Sequence, residues 1–388
     1  MTKIILAGAD SAANTALASR MSALRPEWQV VSMCSGNNIL QQSVDEKTDC
    51  VISDTSLVDM SGLDLMSSLQ CRSPETIRLT LTLDLDKEVV LESTRANHRF
   101  INRALSDEYL VSAIESSLRL REVLDDSQLR QSISEIQNLP SLPEVYQQMV
   151  AELKAPQSSL HKIATIVETD TGLTATVLKI VNSAFYGLNK RVESVGQAVT
   201  LLGVYLIKNI TLTTKVFSQF EAADIDIKRL RLLNEEASRI GAICNQFARL
   251  ARAPRSVVDH TQIAGLLSNI GELVALLMPA TDSPEKVDLM GAHLLRHWMM
   301  PDPVVEAIAL QNEQPQGSML TESPLVILHA IRYLEQNLPD ANNTAAKQSC
   351  LVYLQDIVAP SLAEKWLEAY CDLQSLTALN ETDQGRAA

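Results

Sequence analysis

Aromatic residues are scarce: five Phe, three Trp and seven Tyr make up 4% of 388 residues. That is too few to lay the stacking platforms on which single-stranded nucleic acid is gripped. Basic residues are outnumbered, 33 Lys and Arg against 47 Asp and Glu, and the resulting charge of −14 opposes non-specific attraction to phosphate backbones and anionic lipid. Nucleic acid is therefore an unfavoured partner. No run of 18 apolar residues occurs and no basic-then-apolar leader stands at the start, so membrane insertion is not expected and the chain reads as cytoplasmic. The six cysteines, at 34, 50, 71, 244, 350 and 371, form no CxxC pair and lie mostly in apolar runs. Such spacing argues against a zinc knuckle or a disulfide framework.

Hydrophobic residues make up 46% of the chain, and its length suits two or more domains, each with a core of its own. Strand patterns at KIILA (3–7), WQVVSM (28–33), DCVISD (49–54), IRLTLTL (77–83) and HRFIN (98–102) alternate with helical spacing over 11–24, in DLMSSLQ (64–70), in DKEVVLEST (86–94) and from 106 onward. Alternation of this kind predicts a parallel sheet covered on both faces. The last helix is expected to continue as a linker over 122–138, until the prolines of NLPSLP (138–143) stop it. From 144 the pattern is helical throughout, with HTQIAGLLSNIGELVALL (260–277) reading as one helix. Further helices fill 321–388, and the polar end NETDQGRAA is expected to fray. The expected boundaries are 1–121, 122–138, 139–320 and 321–388.

In a doubly wound sheet, functional groups gather at the carboxyl ends of the strands. Those ends carry Gly8, Ala9 and Asp10, then Asp54, Thr82 and Arg103. With the stretch VISDTSLVDMSGLDLM, whose acid is spaced ahead of Met60 and Gly62, residues 1–121 resemble the receiver domain of two-component response regulators. The resemblance implies a flavodoxin-like or CheY-like parallel five-stranded sheet, with Asp54 as phosphoacceptor and Thr82 and Arg103 as the switch positions that read it. Phosphoryl transfer to an aspartate needs Mg2+ to neutralise the incoming oxygens. The family's two acidic residues fall on Gly8 and Ala9, leaving only Asp10 as a residual acid, while its lysine and proline are replaced by Arg103 and Ala104. A receiver that folds but phosphorylates poorly or never is the expectation, with Mg2+ relevant only if it is active. Asp54 is equally readable as a cap on the following turn, and Thr82 as an ordinary β-branched strand residue.

LPSLPEVYQQM, IVETDTGLTATVLKIVNSAFYG, VESVGQAVTLLGVYLIKNI, IAGLLSNIGELVALL and GAHLLRHWMMPDPVVEAI together resemble the HDOD domain, a helical relative of the HD phosphohydrolases. Asn182, Ser183 and Gly187 read as a helix end and turn, and Gly203 as a tight connection. HD enzymes hold divalent ions through histidines and aspartates that activate water. The resemblance places the paired His-Asp at Ser268 and Asn269, the upstream histidine near Asn234 and Glu235, and a later pair at Gln311 and Asn312. None supplies the carboxylate or imidazole a hard cation requires. Asp259 and His260 read as a solvated helix entrance with a capping acid. His293 and His297, four apart, suit a transition metal but lack a third ligand. Lys208, Lys215, Lys228, Arg229 and Arg231 form either a basic edge or a solvated helix face.

The expected function is that of a non-catalytic bacterial signalling protein without cofactors. It would act through contacts with other signalling proteins or with a second copy of itself, with residues 98–121 as the contact surface by family analogy. The alternatives are a phosphorylation-controlled regulator with Asp54 as acceptor, and a module whose vacated HD cleft senses a nucleotide.

Overall fold

The computed structural model describes residues 2–45, 47–73, 75–82, 99–103, 106–125, 141–155, 158–182, 192–220, 227–277, 284–298, 300–315 and 323–387. The chain divides into two compact units, Met1–Asp125 and Asp126–Ala388.

In the first unit, β1 (Thr2–Ala7), β2 (Trp28–Met33), β3 (Cys50–Asp54), β4 (Ile77–Thr82) and β5 (Arg99–Asn102) form a parallel sheet in the order β2-β1-β3-β4-β5. Ile4 stands opposite Val30 on one side and Cys50 on the other. Central strands flanked on both faces need side chains that are apolar in both directions. Accordingly Ile4, Leu6 and Ile52 bury with α1 (Ser11–Leu24) and α4 (Asp107–Val123), while Ile5, Ala7 and Val51 bury with α2 (Gly36–Asp45) and α3 (Gly62–Arg72).

Two expectations change here. Helix α2, which the sequence pattern did not reveal, has only Ile39, Leu40 and Val44 as apolar residues. Much of its N-terminal capping comes from a distant acid: Asp59 accepts from the Gly36 and Asn37 backbone N–H groups at 2.7 and 3.1 Å. Those bonds, the Gly36 donor first, hold the exposed Asp59 carboxyl down to about 2. Helix α4 closes at Val123, where the Leu124 N–H returns to Leu120 O at 3.0 Å. It does not run on as a linker from its last turn; residues 126–138, and the helix expected at 86–94, lie outside the described residues.

The second unit is helical throughout its described residues: α5 (Glu144–Lys154), α6 (Leu160–Glu168), α7 (Thr171–Val181), α8 (Val195–Leu202), α9 (Val204–Phe220), α10 (Ile227–Leu250), α11 (Arg255–Leu266), α12 (Ile270–Ala275), α13 (Pro284–His297), α14 (Asp302–Ala309), α15 (Pro324–Asn337), α16 (Thr344–Ile357) and α17 (Pro360–Ala387). Asn182 ends α7 and clamps the returning chain, accepting from Val192 N at 2.7 Å and donating to Val192 O at 2.9 Å. Ser183 and Gly187 lie outside the described residues. Gly203 ends α8 at φ 90°, a backbone state that side-chain-bearing residues avoid.

The stretch 260–277 is not one helix. It breaks at Leu267–Asn269, where the Ile270 N–H bonds Leu267 O at 2.9 Å, and both polar residues at the break are buried. The tail does not fray as a chain either, because α17 continues to Ala387. Trp366 anchors it: its ring stacks on Phe247 with centroids 4.9 Å apart, and its Nε1–H donates to Phe247 O at 3.1 Å. Among the described residues no helix is long and apolar enough to cross a membrane.

Candidate functional site

The parallel register brings the ends of β3, β4 and β5 to one edge, with Asp54 opposite Leu81 and Thr82 opposite Asn102. Arg103, one residue past β5, donates from Nη1 to Asp54 Oδ1 at 2.6 Å. Asp54 is only 12% exposed, and burial pushes its carboxyl above the ordinary range against the pull of the Arg103 charge and hydrogen bond. Asp10 raises it further by repulsion. Yet the Asp10 carboxylate is itself engaged as the cap of α1, accepting from Ala13 N at 3.0 Å. Thr82 is buried at the end of β4.

The residues of this pocket do not fit a magnesium ion. A Cβ added at Gly8 would lie 2.4 Å from Asp54 Oδ2 and 2.6 Å from Asn14 Nδ2, so an acidic side chain there would require both of those side-chain ends to shift. The Asp54 carboxylate is held by the Arg103 guanidinium.

The helical unit gathers a larger polar cluster from the ends and faces of six helices, α10 and α12 to α16. Asn269 opens α12, and its Nδ2 donates to Leu233 O at 3.2 Å. Gln311, just past α14, donates from Nε2 to Ser268 O at 3.0 Å and to Asp288 Oδ1 at 2.6 Å, while Asn312 Nδ2 donates to Asp288 Oδ2 at 2.7 Å. At the centre lies Arg332 from α15. Its Nε donates to Gln311 Oε1 at 3.1 Å, its Nη1 to Glu236 Oε1 at 2.7 Å, and its Nη2 to Asn269 Oδ1. Glu335, one turn along the same helix, is paired with Arg239. Beneath them His329 takes Gln311 O on Nδ1 at 2.9 Å and the Tyr353 hydroxyl on Nε2 at 2.6 Å. Burial lowers the pKa of His329, and a neutral ring that donates from Nδ1 and accepts on Nε2 satisfies both contacts.

Asp288 is 8% exposed. Burial pushes its carboxyl up to about 6, outweighing the two amide donors and the Arg332 charge, and Glu272 adds to the rise. Ser268 Oγ is buried without a hydrogen-bond partner among the described residues.

The structure thus brings together Asn269, Gln311 and Asn312 of the positions marked in the sequence, with the main chain of Ser268. At the upstream position Glu235 is exposed and Glu236 is the residue used, since one residue turns a helix by about 100°. Arg332, Asp288 and His329 carried no motif. A sign of them existed: in LVILHAIRYLEQN, His329, Arg332 and Glu335 recur every three residues after a wholly apolar start, in a helix whose described buried residues are otherwise apolar.

These residues do not fit a divalent ion. The oxygens that would coordinate one are turned onto the guanidinium, both Asp288 oxygens accept amide N–H groups, and no three His, Cys, Asp or Glu side chains among the described residues could hold a metal. His293 and His297 on α13 fall under the same finding.

Other expectations are corrected. Asp259 and His260 are not a helix entrance but lie inside α11, which begins at Arg255. Of the lysines and arginines marked in the sequence, Lys215 pairs with Asp170 and Arg229 with Glu272, while Lys208 lies over the rings of Tyr146 and Tyr205.

Residues 139–289 match the HDOD domain family. An uncharacterized protein of Treponema pallidum (strain Nichols) is 26% identical over 204 residues, 47% of this chain and 39% of that protein. The chain therefore spans about two fifths of that relative's length. Among solved structures, the signal receiver domain of an HD domain-containing protein from Pseudomonas fluorescens Pf-5 is 21% identical and covers 31% of this chain and 89% of that one, with a TM-score of 0.29. A structure from Shewanella amazonensis SB2B that carries a phosphohydrolase name is 17% identical and covers 64% of this chain and 96% of that one, with a TM-score of 0.49. The family match ends before Gln311, Asn312 and Arg332.

Proposed function

We propose that this protein, which carries an HDOD domain at 139–289 behind a receiver-like unit, is a signalling protein that acts by protein contact and performs no phosphoester chemistry. The observation that carries the reading is the Arg332 guanidinium, seated among Glu236, Asn269 and Gln311. A fixed side-chain cation satisfies the acceptors that a hydrolase would spend on its ion, and it cannot bind and ionise a water as a metal does. The Arg103–Asp54 pair supports the same reading for the receiver-like unit: the aspartate is already paired, and the nearby Asp10 carboxylate is engaged as the cap of α1, an arrangement unlike the metal-bridged one that phosphoryl transfer uses. Its partners are other signalling proteins or a second copy of the chain.

The purified full chain should give no turnover of bis-p-nitrophenyl phosphate or cyclic dinucleotides with Mg2+ or Mn2+, and acetyl phosphate should leave its intact mass unchanged. Turnover that a chelator abolishes, and that Asp288→Asn also abolishes, would overturn the first part. A phosphoryl adduct lost in Asp54→Asn would overturn the second.

A further inference from the structure

A cleft of about 330 Å3 opens between the α8–α9 turn, the second half of α10 and the first turns of α11, and it shares no lining residue with the Arg332 cluster. Its volume lies at the lower end of the range in which small organic ligands are enclosed. Three features of its wall point to one kind of occupant.

The first is charge. Arg249 and Arg255 line the cleft, and together with Lys208 they act on Asp259, whose carboxyl burial raises and these three cations lower. Arg255 lies over the Tyr205 ring at 4.9 Å and Lys208 over the same ring at 5.3 Å. The aromatic face therefore holds two cations beside a single acid, in a chain whose net charge is −14.

The second feature is an unspent amide. Gln262 is 1% exposed, and its Oε1 accepts from Asn245 Nδ2 at 3.3 Å, while its Nε2 has no hydrogen-bond partner among the described residues. Leaving such a donor buried and unpaired is unfavourable, and a bound acceptor would satisfy it. The third is an apolar strip, to which Leu206 and Val258 contribute.

We propose that this cleft binds a small phosphomonoester carrying a planar heterocycle, a mononucleotide in size and chemistry. Arg249 and Arg255 take the phosphate through their forked donors, as guanidinium groups do. The Asn245–Gln262 amide pair meets the donor and acceptor edge of the heterocycle, and Leu206 and Val258 lie along its face. Asp259 accepts from a ligand hydroxyl or amino group. This site stands apart from the question of catalysis at Arg332, and either reading can fail without the other.

The test is calorimetric titration of the full chain with AMP, GMP, CMP and UMP, beside their nucleosides and inorganic phosphate. At least one nucleotide should bind about tenfold tighter than its nucleoside and than phosphate. Arg249→Gln combined with Arg255→Gln should weaken that nucleotide by about tenfold or more, with the far-ultraviolet circular dichroism of the helical fold retained because both residues are exposed. Gln262→Leu should weaken the nucleotide and leave phosphate binding as it was. Absence of binding by all four nucleotides at millimolar concentration, equal affinity for nucleotide and phosphate, or a paired arginine variant that binds like the parent would each overturn the assignment.

Discussion

Arg332→Ala would leave Glu236, Asn269 and Gln311 facing a void, three acceptors deprived of one donor group. The Arg332 side chain is 14% exposed but its partner Glu236 is 33% exposed, so the loss is that of hydrogen bonds to a charged group, about 1–3 kcal/mol. Urea denaturation should register a loss of that order, and an unchanged midpoint would contradict the central role given to the guanidinium. Asp288 supplies a pH test. Its folded-state pKa is about 6, above its unfolded value of roughly 3.9, so between those values the native state holds a proton that the unfolded chain has released. Stability therefore falls as pH rises through this window and levels off above it, by about 2–3 kcal/mol from this group. Asp288→Asn should gain on the parent by an amount of that order between pH 4 and pH 7, read as the difference between paired melts. At this scale the sequence was half legible. Asn269, Gln311 and Asn312 could be marked because each stands where a ligand pattern fails, whereas Arg332 and Asp288 reach the cluster from α15 and α13, and nothing local in the sequence records that convergence.

Strands and helices were easier to read where one physical signal dominated. KIILA and DCVISD are apolar on both faces because β1 and β3 are covered on both, and SAANTALASRMSAL is bounded by a capping acid, Asp10, that declares its start. Helix α2 stayed hidden because Asp59, which caps it from across a loop, is more than 20 residues away in sequence. The break between α11 and α12 was equally silent, since GLLSNIGEL keeps helical spacing while its two polar residues are drawn into the core. Gly203 gives this scale its prediction. A Cβ there would meet nothing within 4 Å, so Gly203→Ala isolates the backbone cost of φ 90°, on the order of 1–3 kcal/mol. A melting temperature equal to the parent's would contradict that account.

The division into an α/β unit and a helical unit was legible from periodicity alone, because a period of two gives way to one near 3.6 after the prolines at 140 and 143. What periodicity could not show is how much of the helical unit depends on its last 68 residues. An expected domain end at 320 would omit Arg332, His329 and Trp366, and with them the centre of the polar cluster and the ring stacked on Phe247. A chain ending at residue 320 should lose the cooperative unfolding of the helical unit; retention of the parent's midpoint in urea would show the segment to be dispensable. The seat occupied by Arg332 has a further consequence. A tethered cation is not diluted away, is not taken by chelators and keeps its charge across the physiological pH range. The helical unit therefore carries its own counter-ion in its genetic sequence, and its folded state should be indifferent to swings in cellular metal supply.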